Sequence, residues 1–159
     1  MELLVQQEES NVNQKLKKVI KWLLLILWLG FIFYMSSESG ETSSNTSGRV
    51  LNIVESVLPF VKDNVEFFTM LIRKSAHILE YFILGVLTFE VAKEYSSARK
   101  KTFVVSLLFA LLCATLDEIH QLFIFGRAGR ITDVLIDSIG FTLSIGICSF
   151  IERKTKGYK

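Results

Sequence analysis

Four apolar runs, each about as long as a bilayer is thick, divide this chain. A hydrocarbon core of about 30 Å takes about 20 helical residues. The first run spans Val19 to Ser36, with Trp22 and Tyr34 near its ends, where interfacial anchors belong. The second spans Arg73 to Ala92, the third Thr102 to Phe123, and the fourth Thr132 to Ile151. The pattern predicts an all-α integral membrane bundle of four transmembrane helices over residues 19–151. Residues 1–18 form an N-terminal segment before it, and 152–159 a basic tail after it.

The connection from Ser37 to Ile72 opens with a Ser/Thr/Gly-rich stretch, Ser36 to Ser44. Leu51, Val54, Leu58 and Val61 then recur at helical spacing, which predicts an amphipathic helix lying in the outer interface. A helix that binds a partner is the alternative. The connection Phe125 to Arg130 is short and glycine-bearing. Ser106, Ala110 and Ala114 fall at every fourth position of the third helix, and Gly140 and Ser144 in the fourth, as close helix packing requires.

Charge sets the orientation. Four basic residues flank the first helix (Lys15, Lys17, Lys18, Lys21). Four lie between helices two and three (Lys93, Arg99, Lys100, Lys101), and four in the tail (Arg153, Lys154, Lys156, Lys159), together twelve of the eighteen Lys and Arg. The positive-inside rule puts all three clusters, and so both termini, in the cytoplasm, which an even number of spans permits. These separated clusters form no basic stripe, so nucleic acid is not an expected partner. Half the residues are hydrophobic, too many for a soluble domain of this size to cover with polar surface. Cys113 and Cys148 sit inside apolar runs and read as small buried hydrophobes, not a disulfide. The first run lacks a small-residue cleavage pattern and reads as a retained helix rather than a signal peptide.

Ionisable residues inside a span are costly, so their positions are informative. Helix two carries Arg73, Lys74, His77 and Glu80; helix three carries Asp117, Glu118, His120 and Gln121. The loop after it carries Arg127 and Arg130, and helix four begins with Asp133 and Asp137. Counted from the cytoplasmic ends, Lys21 to Ser36 is 15 residues, Lys93 to His77 is 16, Lys101 to Asp117 is 16, and Glu152 to Asp137 is 15. At about 1.5 Å per residue all four points stand about 22–24 Å up, near the outer surface. Spacings of i, i+4, i+7 for Arg73, His77 and Glu80, i, i+3, i+4 for Asp117, His120 and Gln121, and i, i+4 for Asp133 and Asp137 let each group face one pocket.

Arg73, Lys74, Arg127 and Arg130 sit outside against the positive-inside trend, which an anionic ligand such as a lipid phosphate explains. His77, Glu80, Asp117, Glu118, His120 and Asp137 would floor the site, with Gln121, Asp133, Ser36 and Ser37 beside the ligand. Other readings stay open. The four bases and five acids (Glu80, Asp117, Glu118, Asp133, Asp137) would neutralise one another if they only staple helices. Two histidines with carboxylates suit a divalent metal by type, but the spacings match no zinc motif and the arginines oppose a cation, so no cofactor is expected. Ser36 or Ser37 with a histidine base has the makings of a nucleophile.

Three stretches resemble the VanZ-like family of bacterial membrane proteins: Phe33 to Ser37, Arg73 to Phe82, and Asp117 to Phe123 continuing through Gly126-Arg127 to Asp133–Gly140. The likeness covers about Trp22 to Phe150. The chain has Glu38 where the family tends to have Gln, and Asp137 where it tends to have Asn. The resemblance implies a multi-pass protein of a bacterial plasma membrane with a cell-envelope role, and through the family's name a link to teicoplanin resistance. Joined to the basic residues, it predicts binding of an anionic or polyprenyl-linked lipid at the outer leaflet. An intramembrane hydrolase or transferase acting on such a lipid is one alternative, and a proton-coupled transporter the other. Nothing in the pattern sets an oligomeric state.

Overall fold

The computed structural model describes residues 1–157 and is built of helices alone among them. α1 spans Glu2–Ser36, α2 Gly40–Val57, α3 Val65–Ala92, α4 Arg99–Gln121 and α5 Ile131–Gly157, with a 3-10 turn at Pro59–Asn64 before α3. The helical segments Glu2–Ser36, Pro59–Ala92, Arg99–Gln121 and Ile131–Thr155 are long and apolar enough to cross a membrane. The architecture is therefore an all-α bundle of four membrane-spanning helices. Lys159, counted in the basic tail, lies outside the described residues.

The helices outrun the apolar lengths that mark them. α1 continues back through the polar residues 2–18, and α5 runs through most of the tail. α3 starts eight residues before Arg73 because Val65, Phe67, Phe68, Met70 and Leu71 extend the apolar pattern. At Leu122 the chain leaves α4 for a series of turns, so Phe123 is not helical.

The first long connection corrects the expectation most. The Ser/Thr-rich stretch runs from the end of α1 at Ser36 through a short turn into α2, which begins at Gly40. Ser39 caps the helix, its Oγ accepting from the Thr42 amide at 3.2 Å. Pro59 restricts Leu58 before it, so α2 stops at Val57 and the expected amphipathic run breaks there. α2 packs along α3 and buries Ser47 and Leu51, while Val61 is buried from the turn beyond. Its other face leaves Val50, Ile53 and Val57 exposed, as an interfacial helix would.

α3 and α5 share the most extensive interface, and α4 packs on both. The centre holds Tyr81, Leu84, Phe89, Ala110, Ala114, Phe141 and Ile145. Gly85 and Gly140 bring α3 and α5 together: a Cβ at Gly140 would strike the Ile78 carbonyl, and one at Gly85 the Ser144 hydroxyl. Ser106, Ala110 and Ala114 are buried on α4, and Ser144 on α5.

α1 lies at the margin, against α3 and, less extensively, α4. At the level of Lys21 and Trp22 it is clamped to α3. Lys21 Nζ meets Glu94 Oε1 at 2.6 Å and Glu90 Oε2 at 3.0 Å, and Trp22 Nε1 donates to Tyr95 Oη at 2.8 Å. A double-mutant cycle on Lys21→Met and Glu94→Gln should return a coupling of about 0.5–1 kcal/mol in thermal unfolding, the range for partly exposed pairs. A coupling of zero would mean that this contact does not hold α1.

Candidate functional site

Helical periodicity and two glycine contacts assemble the site. α3 presents Arg73, His77 and Glu80 along one stripe, α4 presents Asp117 and Gln121 one turn apart, and α5 presents Asp133 and Asp137. The loop between α4 and α5 folds back over them. Gly126 takes φ +73°, a left-handed conformation natural to glycine, and lets the chain reverse. Gly40, first residue of α2, sits so close to Gly126 that a Cβ would overlap its carbonyl, and the Gly40 amide donates to the Phe125 carbonyl at 3.2 Å. Further along, the Arg130 amide donates to Glu118 Oε2 at 2.8 Å and pins the loop to α4.

Two adjoining clefts result. The larger, about 340 Å³, is lined by Arg73, Lys74, Arg127 and Arg130 together with His77, Gln121, Asp133 and Asp137. All four basic residues that sequence reasoning placed at the outer end thus border one space. The smaller, about 80 Å³, is lined by Ser36, Glu38, Ser43, Thr46 and Ser47 with Glu80 and Asp117. Arg73, His77 and Arg127 border both.

Few of the charged groups in the site pair with one another. Lys74 Nζ approaches Asp133 Oδ1 at 3.4 Å. It is the one Lys or Arg side chain of this outer group within ion-pair distance of a carboxylate among the described residues. Arg73 instead donates to the Ser44 hydroxyl. Arg127 spends its fork on neutral oxygens: Glu38 O at 2.9 Å, Met35 O at 3.3 Å and Gln121 Oε1 at 3.4 Å. Burial and the neighbouring Arg73 guanidinium pull Arg127 below the usual arginine range, opposed by Asp117, Glu38 and Glu118. The acids are equally underused. Asp137 is fully buried with no hydrogen bond to either carboxylate oxygen, and Asp117 keeps Oδ1 free while Oδ2 accepts from Gln121 Nε2 at 3.1 Å.

His77 stands at the junction. Its Nδ1 is 3.6 Å from Asp137 Oδ1 and 4.0 Å from Glu80 Oε2. Trp28 of α1 reaches the Glu80 carbonyl through Nε1 at 3.0 Å and ties α1 to α3 at this level.

Not every candidate joins them. His120 borders neither cleft; its Nε2 lies 3.1 Å from Ser37 Oγ, and its ring meets Phe33 edge-on at 6.0 Å between centroids. Ser37 Oγ is also within 2.7 Å of the Phe33 carbonyl, which competes with the imidazole for its one proton. Ser36 is buried in the small cleft with its Oγ in no hydrogen bond, so neither histidine engages it. Glu118 serves the loop, not the cleft. Among the described residues no group of three or more His, Cys, Asp or Glu side chains converges as a metal site.

Sequence reasoning missed the α2 hydroxyls, Ser43, Ser44, Thr46 and Ser47. The signal for them was present: Ser39 and Thr42 form a cap, and Ser43, Ser47 and Leu51 recur at i+4.

The VanZ/LLP1 family model matches residues 21–152, from the Lys21 clamp of α1 to the last turns of α5. No curated protein and no solved structure matches the chain. The family match spans all four membrane-crossing helices and every residue that lines the two clefts, and the chain belongs to the VanZ/LLP1 family.

Proposed function

We propose that this protein is a cell-envelope component that binds a phosphate-bearing lipid, or a lipid-linked cell-wall intermediate, in the larger cleft at the outer leaflet. Binding there lowers the susceptibility of the cell to glycopeptides such as teicoplanin. One observation carries the reading: Arg73, Lys74, Arg127 and Arg130 border a single cleft and only Lys74 pairs with a carboxylate. Guanidinium groups left without counter-charges suit phosphate oxygens. The outward placement is supported by the three basic clusters at the opposite end, whose charge favours both termini on the cytoplasmic side of a bacterial plasma membrane.

A second reading, an intramembrane hydrolase or transferase on the same lipid, is favoured by His77. It borders both clefts between two carboxylates, where a general acid or base belongs. In that case the arginines would stabilise charge on the phosphate.

The test is glycopeptide susceptibility of a sensitive host expressing wild type, Arg73→Ala, His77→Ala or Asp137→Ala at matched membrane levels. Protection by wild type, lost in the variants, is the expected result. Equal protection by all would make the cluster a structural network. Release of a soluble product from labelled lipid by wild type but not by His77→Ala would select the enzymatic reading over simple binding.

A further inference from the structure

The order of charges across the two clefts points to more than phosphate. The smaller cleft has three carboxylates of its own, Glu38, Glu80 and Asp117, and no lysine. Arg73, Arg127 and His77 form the wall shared with the larger cleft. A ligand lying across that wall meets carboxylates at one end and two guanidinium groups along the wall. Such a field orients a dipolar group.

We propose that the site selects a phosphate ester carrying a small primary-ammonium substituent, with the phosphate against Arg73 and Arg127 and the ammonium in the smaller cleft. This rests on the phosphate reading above and names the headgroup class it takes. The smaller cleft is built to receive a donor. Asp117 is 1 % exposed with Oδ1 unpartnered, and Ser36 is 3 % exposed with Oγ unpartnered. Carboxylates only accept, and an ammonium offers three donors where a hydroxyl offers one. A cavity of about 80 Å³ takes a substituent of a few atoms. Ser47 already spends its hydroxyl proton on the Ser43 carbonyl at 3.0 Å, so the hydroxyls nearby also present lone pairs.

The test is calorimetric titration of the full chain in detergent with short-chain phosphatidylethanolamine, phosphatidylglycerol of the same chain length, O-phosphoethanolamine and inorganic phosphate. Phosphatidylethanolamine should bind about tenfold or more tighter than phosphatidylglycerol, the worth of one charge-assisted hydrogen bond. Asp117→Asn should erase that preference; Glu80→Gln serves if Asp117→Asn does not fold. O-Phosphoethanolamine binding as tightly as the lipid would keep the headgroup class and make the source water-soluble. Phosphatidylglycerol binding equally or better would overturn the selection and leave the phosphate reading intact. No binding of any of the four would sink both.

Discussion

Arg127→Ala should be the most damaging single change at the site, with about 2–4 kcal/mol of stability lost along with ligand binding. The Arg127 fork joins separate parts of the chain at this end of the bundle: the Met35 and Glu38 carbonyls at and beyond the end of α1, and Gln121 at the end of α4. Hydrogen bonds from a charged donor contribute about 1.5–3 kcal/mol, and removing the donor leaves half-buried acceptors without partners. Arg127→Lys keeps the charge but cannot span three acceptors with a planar fork, so it should recover little stability. Thermal unfolding in detergent, followed by circular dichroism, reads the effect. A midpoint equal to wild type for Arg127→Ala would show that α1 is held by other contacts. The phosphate proposal would then need separate support.

The second large effect is predicted at the centre of the bundle. Gly140→Val should fail to give folded protein, or cost more than about 3 kcal/mol, because its side chain would drive the Ile78 turn of α3 away from α5. Gly85→Val should behave similarly against Ser144 and Phe141. Gly146 is the control. Nothing lies within 4 Å of a Cβ built there, so Gly146→Ala should change stability by less than about 1 kcal/mol. The fraction of each variant eluting as a single size-exclusion peak at matched expression distinguishes the cases. A folded Gly140→Val would mean that the α3–α5 interface can slide.

Much of the architecture was legible in the residues, for identifiable reasons. A membrane span advertises itself by length and hydropathy, so the number of helices was secure. Helix ends were not, because Glu, Gln and Lys in residues 2–18 favour helix as well as apolar residues do and carry no hydropathy signal. α2 was half hidden: its Ser and Thr content argues against helix, and a cap plus packing on α3 overrides that weak preference. Depth counting put Ser36, His77, Asp117 and Asp137 on one level. His77 and Asp137 do meet at 3.6 Å, while Ser36, His77 and Asp117 line one cleft. Counting gives height but only coarse rotation. From Asp117, Gln121 is offset about 40° one way round α4 and His120 about 60° the other, at about 100° per residue. Gln121 therefore faces the cleft and His120 faces Ser37 at the end of α1. Gly85 went unremarked because a lone small residue has no period to reveal it.

The marginal position of α1 separates the order of synthesis from the order of assembly. α1 is made before the other helices, yet its fastenings come from later residues: Glu90, Glu94 and Tyr95 at one end, the Glu80 carbonyl along its length, and Arg127, some ninety residues on, at the other end. Until α3 and the loop before α5 have been translated, the contacts that hold the first helix in the bundle cannot form. The loop fastens the first helix, and only α5, made after it, completes the larger cleft with Asp133, Ile136 and Asp137.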